Sequence, residues 1–372
     1  MLIGLLVLAC CLVLAACVFM KHPKFGKAPE GTRLESIRKS PNYVDGEFRN
    51  LIDTPKFTQD ASTFSILLNH MLHPPERLTP EQPVPSVKTD LKALDSSSDL
   101  VIWLGHSSYY FQLGGKRFLL DPILSDHAAP LSFLNKAFAG TSIYTVDDIP
   151  EIDYLLISHE HWDHLDYPTV EALKDKIKQV VCPLGVGTYF DRWGFDASKV
   201  SEGDWYDQFE YGDGIKIHLL PARHYSNRLL QENQTLWAGF ALETDARRLF
   251  FSGDSGYGPH FAEIGRTFGG FDFAALDCGQ YDERWANIHM NPEEAVQAAK
   301  DLNAATLLPS HVGRFTIARH AWDEPFIRVA SANNGGNSRL LTPAIGETVP
   351  LENKPQEFSC WWEGIDCLGS GS

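Results

Sequence analysis

Short apolar runs, bounded by glycine, proline or charged residues, recur along the chain from residue 99 onward. Such runs predict β-strands, because strands that are covered on both faces read as nearly continuous apolar segments. The first half of this region carries them at residues 100–104, 109–113, 117–120, 152–157 and 179–182. Gly114 and Gly115 join two of these runs, which predicts a β-hairpin.

The second half repeats the pattern, with apolar runs at residues 215–220, 236–243, 248–251, 273–276 and 305–308. Helical spacing of apolar residues appears between the runs, at residues 169–178, 185–194, 259–268 and 292–302. Asn291 is placed to cap the last of these helices, with Glu293 and Glu294 in its first turn. Two groups of strands with helices between them predict an α/β sandwich of two facing sheets with helices outside.

The first twenty residues contain no charged side chain and are almost wholly apolar. Residues 14–17 (LAAC) have the form of a bacterial lipobox, in which Cys17 would be acylated after cleavage. No basic residue precedes the apolar run, whereas six follow it, which favours an uncleaved anchor with the body on the cytoplasmic side. We therefore predict attachment to a membrane of a bacterial cell envelope, by an anchor or through a lipid on Cys17, with the side of the membrane left open.

The pattern divides the chain into four parts. Residues 1–20 form the anchor or lipoprotein signal, residues 21–98 an arm and linker, residues 99–350 the α/β domain and residues 351–372 a C-terminal tail. Residues 74–98 are rich in proline and then polar, which is typical of a connector. Cys360 and Cys367 are close enough in sequence to pair in an oxidising compartment, and the sequence leaves that pairing open.

Charge and composition exclude some classes of function. The chain has 372 residues, 44% of them hydrophobic, which is enough for a large buried core. Thirty-two basic residues against 48 acidic ones give a net charge of −16. That balance repels a phosphate backbone, and no basic stripe interrupts it, so the sequence predicts no nucleic-acid partner.

A cluster of metal-binding residue types follows the predicted strand 152–157. The segment Ser158 to His164 reads SHEHWDH, with three imidazoles and an aspartate at His159, His161, Asp163 and His164. On an extended segment the first two histidines turn to the same side, and the last two ligands lie at the beginning of a turn. The spacing predicts a site for two metal ions a few ångströms apart.

Two metal ions need more ligands than one motif supplies. Three further residues of the right type occur at or just after predicted strands: His224, Asp254 within FSGDSG, and His311. Each alone is more simply explained as a structural residue. Together, and each at a strand end, they complete a two-metal site.

These motifs resemble the metallo-β-lactamase superfamily, and more closely its branch of N-acyl-phosphatidylethanolamine-hydrolysing phospholipases D with their bacterial relatives. The resemblance covers about residues 42–341. Its blocks are WLGH at 103–106, LDPI at 120–123, LLISHEHWDHLDY at 155–167, FSGDSGY at 251–257, RW at 284–285 and HMNPEEA at 289–295. It implies a four-layer αβ/βα sandwich of two mixed sheets with outer helices.

Transferred residue by residue, the resemblance implies two Zn²⁺ ions per chain. One ion is held by His159, His161 and His224, the other by Asp163, His164 and His311, and Asp254 bridges both. The bridging aspartate replaces the cysteine ligand of many zinc β-lactamases, and His161 stands where the di-iron redox branch has a glutamate. In this resemblance both features favour hydrolysis of an ester or phosphoester.

The resemblance also suggests catalytic and supporting residues. We predict His289 and Asp163 as catalytic, with His289 as proton donor or orienting group. A structural histidine at the entry of the following helix is the alternative for His289. We further predict that His106 and Asp121 support the ligands from behind.

A lipid substrate predicts apolar contacts outside the metal site. Residues 128–139 carry four large apolar side chains, Leu131, Phe133, Leu134 and Phe138. We interpret them as lipid contacts, since exposed apolar groups of this size mark membrane or acyl-chain binding. Packing beneath the N-terminal arm is the alternative.

The sequence thus predicts a membrane-bound binuclear zinc phosphodiesterase of phospholipase D type. Its substrate would be N-acyl-phosphatidylethanolamine or a related membrane glycerophospholipid, cleaved to phosphatidate and the free headgroup, N-acylethanolamine. A lactonase or other ester hydrolase of the same superfamily is one alternative. A metal-binding envelope protein without turnover is another, and the complete ligand set argues against it.

Overall fold

A computed structural model describes residues 11, 13–58, 68, 72, 76–228, 231–352 and 356–365. Its strands in chain order are β1 (Tyr43–Val44), β2 (Glu47–Phe48), β3 (Leu100–Trp103), β4 (Tyr109–Leu113), β5 (Lys116–Leu120), β6 (Ile152–Leu156), β7 (Ile177–Pro183), β8 (Val200–Gly203), β9 (Gln208–Glu210), β10 (Lys216–Leu220), β11 (Gly239–Glu243), β12 (Arg248–Phe251), β13 (Phe273–Asp277), β14 (Thr306–Ser310), β15 (Arg339–Leu340) and β16 (Thr348–Pro350). Its helices are α1 (Gly31–Ile37), α2 (Tyr167–Leu173), α3 (Gly187–Arg192), α4 (His260–Phe268), α5 (Pro292–Asp301) and α6 (Glu324–Ala332).

Two seven-stranded mixed sheets form the body of the protein. One has the order β16-β3-β4-β5-β6-β7-β8 and the other β15-β14-β13-β12-β11-β10-β9. In both sheets antiparallel pairing changes to parallel pairing midway, at β5–β6 and at β12–β13. The change groups the carboxyl ends of parallel strands, where α/β folds build their sites.

Alternate residues of the strands enter different layers of the core. Phe111 stacks on Phe118 within the first sheet, with ring centroids 4.7 Å apart, and meets Phe251 of the second sheet at 5.0 Å. Leu119 instead faces outward and belongs to the cluster that includes Val170 of α2. A layer of helices therefore covers each sheet, and the predicted four-layer α/β sandwich is confirmed.

Several element boundaries differ from the prediction. The helix predicted at 169–178 ends at Leu173, a 3₁₀ turn follows at Lys174–Lys176, and β7 begins at Ile177. The apolar spacing continued across the turn because Leu173 before it and Ile177 after it belong to the same apolar cluster. The sequence analysis missed several elements that depend on a neighbouring strand or layer and have weak local patterns. They are α1, α6 and the short strands β1, β2, β8, β9, β15 and β16.

The predicted linker and tail are packed against the domain. Val84 and Leu91, within the proline-rich segment 74–98, are buried. Trp361 is also buried, with its ring 6.3 Å from that of Trp103. The predicted connector is therefore part of the folded unit, because its few apolar side chains find places in the core. Cys367, and with it the pairing with Cys360, lies outside the described residues.

The structure describes only part of the predicted anchor. Residues 1–10 and 12 lie outside the described residues, and the remainder up to Met20 is helical. Within the described part of the chain, no helix is both long enough and apolar enough to cross a membrane.

Candidate metal centre

Strand ends deliver the predicted ligands to one place. His159 follows β6, His224 follows β10, Asp254 follows β12 and His311 directly follows β14. The two sheets therefore each contribute ligands, and all seven predicted ligand residues come together. Their side chains are buried except for that of His161, which is partly exposed.

One group of possible ligands consists of His159, His161, His224 and Asp254. One donor atom of each lies within 4.8 Å of those of the others. The Nε2 atoms of His159 and His161 and the Oδ1 atom of Asp254 are buried without a hydrogen-bond partner. Buried polar atoms are normally paired, so these atoms point to a bound ion.

A second group consists of His106, Asp163, His164 and His311, again within 4.8 Å of one another. Asp254 lies at the boundary of the two groups, with Oδ2 3.1 Å from Nε2 of His164 and 3.7 Å from Nε2 of His159. This carboxylate therefore lies between the two groups, where the predicted bridging ligand is required.

The two residues predicted to support the ligands contact them directly. His106 Nε2 lies 2.9 Å from Oδ2 of Asp163. Asp121 Oδ2 lies 2.8 Å from Nδ1 of His164, and its carboxylate also accepts hydrogen bonds from the backbone NH and the hydroxyl of Ser158. Such contacts fix the tautomer and orientation of a ligating imidazole.

Three of these residues have a strained backbone. His106, Asp121 and His311 have φ angles of 56°, 43° and 63°, in the left-handed region that favours glycine. Each lies just beyond the end of a strand, where the chain turns toward the cluster. Strain of this kind persists where the surrounding structure enforces it, and it is concentrated at functional sites.

Burial keeps the imidazoles of the first group neutral. Loss of solvation lowers the pKa of His161 to about 3, and it holds the pKa values of His159 and His224 well below the usual range of histidine. Neutral imidazole is the form that offers a lone pair to a metal ion. The first group is therefore in the right protonation state to bind one.

The carboxylates of Asp163 and Asp254 stay ionised in the buried site. Burial opposes their ionisation, but neighbouring histidines, His164 foremost, hold both pKa values well below the usual range. Burial also opposes a charge on His311, yet the facing carboxylates raise its pKa to about 10. The site thus favours positive charge, which divalent cations would supply. Imidazole and carboxylate donors of this kind fit zinc.

His289 lies beside the metal centre and contacts Asp277, a residue that the sequence analysis missed. Its ring lies 5.0 Å from that of His224 and 5.1 Å from that of His311. Its Nδ1 is 2.8 Å from Oδ2 of Asp277, a fully buried carboxylate at the end of β13. The only signal for Asp277 in the sequence was an acidic residue at the end of an apolar run, which is too common to single out.

The predicted apolar contacts divide into two sets. Leu131, Phe133 and Leu134 are exposed, Phe133 to 66%. Phe138 is only 5% exposed and packs against the ring of Trp322. The prediction of a lipid contact at Phe138 is therefore wrong for this conformation, because the side chain fills the core beneath the segment.

Fold and site together define a metal-dependent hydrolase. The sequence profile described as Beta-lactamase superfamily domain matches residues 116–312, slightly more than half of the chain. The chain therefore belongs to the metallo-β-lactamase superfamily. A metallo hydrolase from the archaeon Ignicoccus hospitalis has the same fold, with a TM-score of 0.54 and 20% identity over 69% of this chain and 100% of that one.

Two relatives are similar in sequence. An uncharacterized protein of Mycobacterium tuberculosis is 35% identical over 340 residues, 89% of this chain and 91% of the relative. N-acyl-phosphatidylethanolamine-hydrolyzing phospholipase D 1 of Caenorhabditis elegans is 34% identical over 227 residues, 58% of this chain and 64% of the relative. The resemblance to that phospholipase D branch is thus supported by sequence similarity over more than half of the chain.

Proposed function

We propose that this chain is a binuclear zinc phosphodiesterase of phospholipase D type. Its substrate would be N-acyl-phosphatidylethanolamine or a related glycerophospholipid, and its products phosphatidate and the free headgroup alcohol. One observation carries the proposal: two groups of buried donor side chains meet at Asp254, in a chain with a phospholipase D among its relatives.

The seven residues predicted as ligands would hold the two ions. One ion would be bound by His159, His161 and His224, the other by Asp163, His164 and His311, and both by Asp254. Two zinc ions in such a site acidify a water molecule and withdraw charge from a phosphoryl oxygen. The chain itself must bind the lipid, orient its phosphate and supply a proton to the departing alcohol, for which His289 is placed.

A polar cavity beside His289 supports a polar leaving group. It has a volume of about 650 Å³. Its lining includes Tyr281, Arg284, Arg319, His320, Glu324 and Arg328. Charged walls favour a group that keeps its hydrogen bonds, because burying a polar group without partners is costly. The headgroup side of a phospholipid meets that requirement.

Exposed apolar side chains support work at a membrane surface. Leu131 and Phe133 protrude from the segment after β5, and Val13, Leu14 and Val18 are exposed on the N-terminal helix. The arm that follows this helix contacts the segment after β5, because Nζ of Lys24 donates a hydrogen bond of 2.6 Å to the carbonyl oxygen of Pro130. We propose that both apolar parts face the membrane of a bacterial cell envelope.

The means of attachment is part of the same proposal. An uncleaved anchor would extend the N-terminal helix through residues 1–20, whereas a lipid would be attached to Cys17. The thiol of Cys17 is free and exposed. Mass spectrometry of the protein extracted from membranes distinguishes the two, because acylation at Cys17 requires a new N-terminus at that residue.

The reaction itself is tested by product analysis. Vesicles of N-acyl-phosphatidylethanolamine, phosphatidylethanolamine or phosphatidylglycerol are incubated with the zinc-loaded protein, and the extract is read by mass spectrometry. We expect phosphatidate and the free alcohol. Diacylglycerol would mean cleavage of the other phosphoester bond and would contradict the proposal. Turnover of lactones with no lipid cleavage would favour an ester hydrolase, and no turnover of any substrate a metal-binding envelope protein.

A double variant tests the membrane contact. Phe133→Ser together with Leu134→Ser should lower turnover of vesicle lipid at least about tenfold, because each inserted apolar side chain contributes roughly 1.5–3 kcal/mol. Turnover of soluble bis-p-nitrophenyl phosphate should stay unchanged. A matched control pairs Val87→Ser with Ile327→Ser, two side chains of similar exposure on other segments. Equal losses on the two substrates, or equal effects of the control pair, would contradict a membrane role.

A further inference from the structure

Asp277 is completely buried and lies between two histidines of the metal centre. Its Oδ2 lies 2.8 Å from Nδ1 of His289, and its Oδ1 lies 3.3 Å from Nδ1 of His311. The backbone NH groups of Ser255 and Gly279 also donate to this carboxylate, at 3.1 and 3.4 Å. Groups from separate segments therefore hold the carboxylate in one orientation.

The backbone around Asp277 is shaped for this contact. A Cβ atom on Gly279 would lie 1.8 Å from the carbonyl oxygen of His311, so only glycine permits this close approach. The backbone NH of Asp277 donates a hydrogen bond of 2.9 Å to the hydroxyl oxygen of Ser252, which follows the neighbouring strand β12. The end of β13 is thus locked beside His289 and His311.

We propose that Asp277 is a positioning residue that keeps a proton on Nδ1 of His289. The inference rests on the proposed phosphodiesterase function and deepens it. Because Nδ1 faces Asp277, Nε2 lies on the opposite edge of the ring, and the side chain of His289 lines the polar cavity. His289 then presents Nε2 to the leaving group. The aspartate of a catalytic triad orients its histidine in the same way.

In the proposed hydrolysis the oxygen of a water molecule forms a bond to phosphorus, and the bond from phosphorus to the headgroup oxygen breaks. The leaving oxygen takes the proton from Nε2 of protonated His289, so the headgroup departs as a neutral alcohol. A proton lost by the attacking water restores the charge of His289. Asp277 stays ionised throughout and stabilises the imidazolium.

A comparison of leaving groups tests the proposal. A p-nitrophenolate leaves without a proton, whereas the alkoxide of a phospholipid headgroup needs one. Asp277→Asn should therefore lower kcat for vesicle lipid by about 100-fold, the lower range for general acid catalysis, and kcat for bis-p-nitrophenyl phosphate by less than about fivefold. The zinc content should be unchanged. Nitrogen-edited NMR of the histidines should lose the Nδ1–H signal of His289.

Two further variants make the result decisive. His289→Gln should reproduce the selective loss, and adding Asp277→Asn to it should cost little more, because residues that act as a unit are non-additive. Asp272→Asn, an exposed carboxylate just before the same strand, is the matched control and should behave as wild type on both substrates. Equal losses on both substrates together with less bound zinc would mean that Asp277 acts by supporting the metal ligand His311. That result would overturn the proposal.

The proposed function and the inference fail in different ways. If the wild-type protein releases no headgroup from any lipid, the proposed function fails. The NMR signal of His289 in wild type and Asp277→Asn then still decides the role of Asp277, since it does not require turnover. An unchanged Nδ1–H signal in the variant would overturn the inference.

Discussion

Replacing Asp254 with alanine is expected to remove at least one of two bound metal ions and to lower activity by about three orders of magnitude or more. That exceeds the 10–100-fold loss typical when an outer partner of a ligand is removed. The physical reason is its place between the two ligand groups, 3.1 Å from Nε2 of His164 and 3.7 Å from Nε2 of His159. Loss of this carboxylate leaves only imidazoles in the first group and the single carboxylate of Asp163 in the second, which is too little negative charge for two divalent cations.

Elemental analysis of the purified variant and turnover at saturating zinc measure the two effects. Asp245→Ala, the same change at an exposed turn, is the matched control and should keep wild-type metal content and activity. His164→Ala should resemble Asp254→Ala. Full activity of either ligand variant at saturating zinc would refute the assignment of the centre.

Removing the metal with a chelator is expected to abolish activity and to lower the melting temperature. A ligand present at 100 times its dissociation constant stabilises the folded state by about 2.7 kcal/mol, so two ions contribute roughly 5 kcal/mol. Without them, the buried carboxylates of Asp163 and Asp254 retain only imidazole partners.

Calorimetry with and without chelator measures the loss, and adding back zinc should restore both temperature and activity. The Asp254→Ala protein should show a smaller chelator effect, since it binds less metal at the outset. A melting temperature and turnover unaffected by chelation would mean that the cluster holds no functional ion. Restoration by iron and not by zinc would refute the identity of the metal while leaving the site intact.

Much of the prediction rested on residues that are close together in the sequence. The segment from His159 to His164 places four candidate ligand residues close together, so no knowledge of distant contacts was needed to suspect a metal site. The strands around it were recognised because they are covered on both faces and are therefore continuously apolar. Boundaries were less accurate, as at Leu173, where a helix and the next strand share one apolar cluster.

Contacts between distant segments explain what the sequence analysis missed. Phe138 and Phe133 are identical residue types in one short segment, yet one fills the core beside Trp322 and the other is exposed. Leu91 lies in a segment with the composition of a connector, but its side chain is buried in an apolar core cluster. Short edge strands such as β16 are strands only because a neighbour pairs with them.

By itself, the sequence determined the α/β class, the layered arrangement implied by its motifs and the residues that come together at the candidate metal centre, because each depends on local pattern or on chemistry that few residue types can perform. The tertiary structure alone decided how these residues act together. It placed Asp254 between two ligand groups and set Asp277 against His289 across 12 residues of chain. A hydrogen bond between distant residues leaves no periodic pattern, since only the folded backbone brings its two atoms within 3 Å.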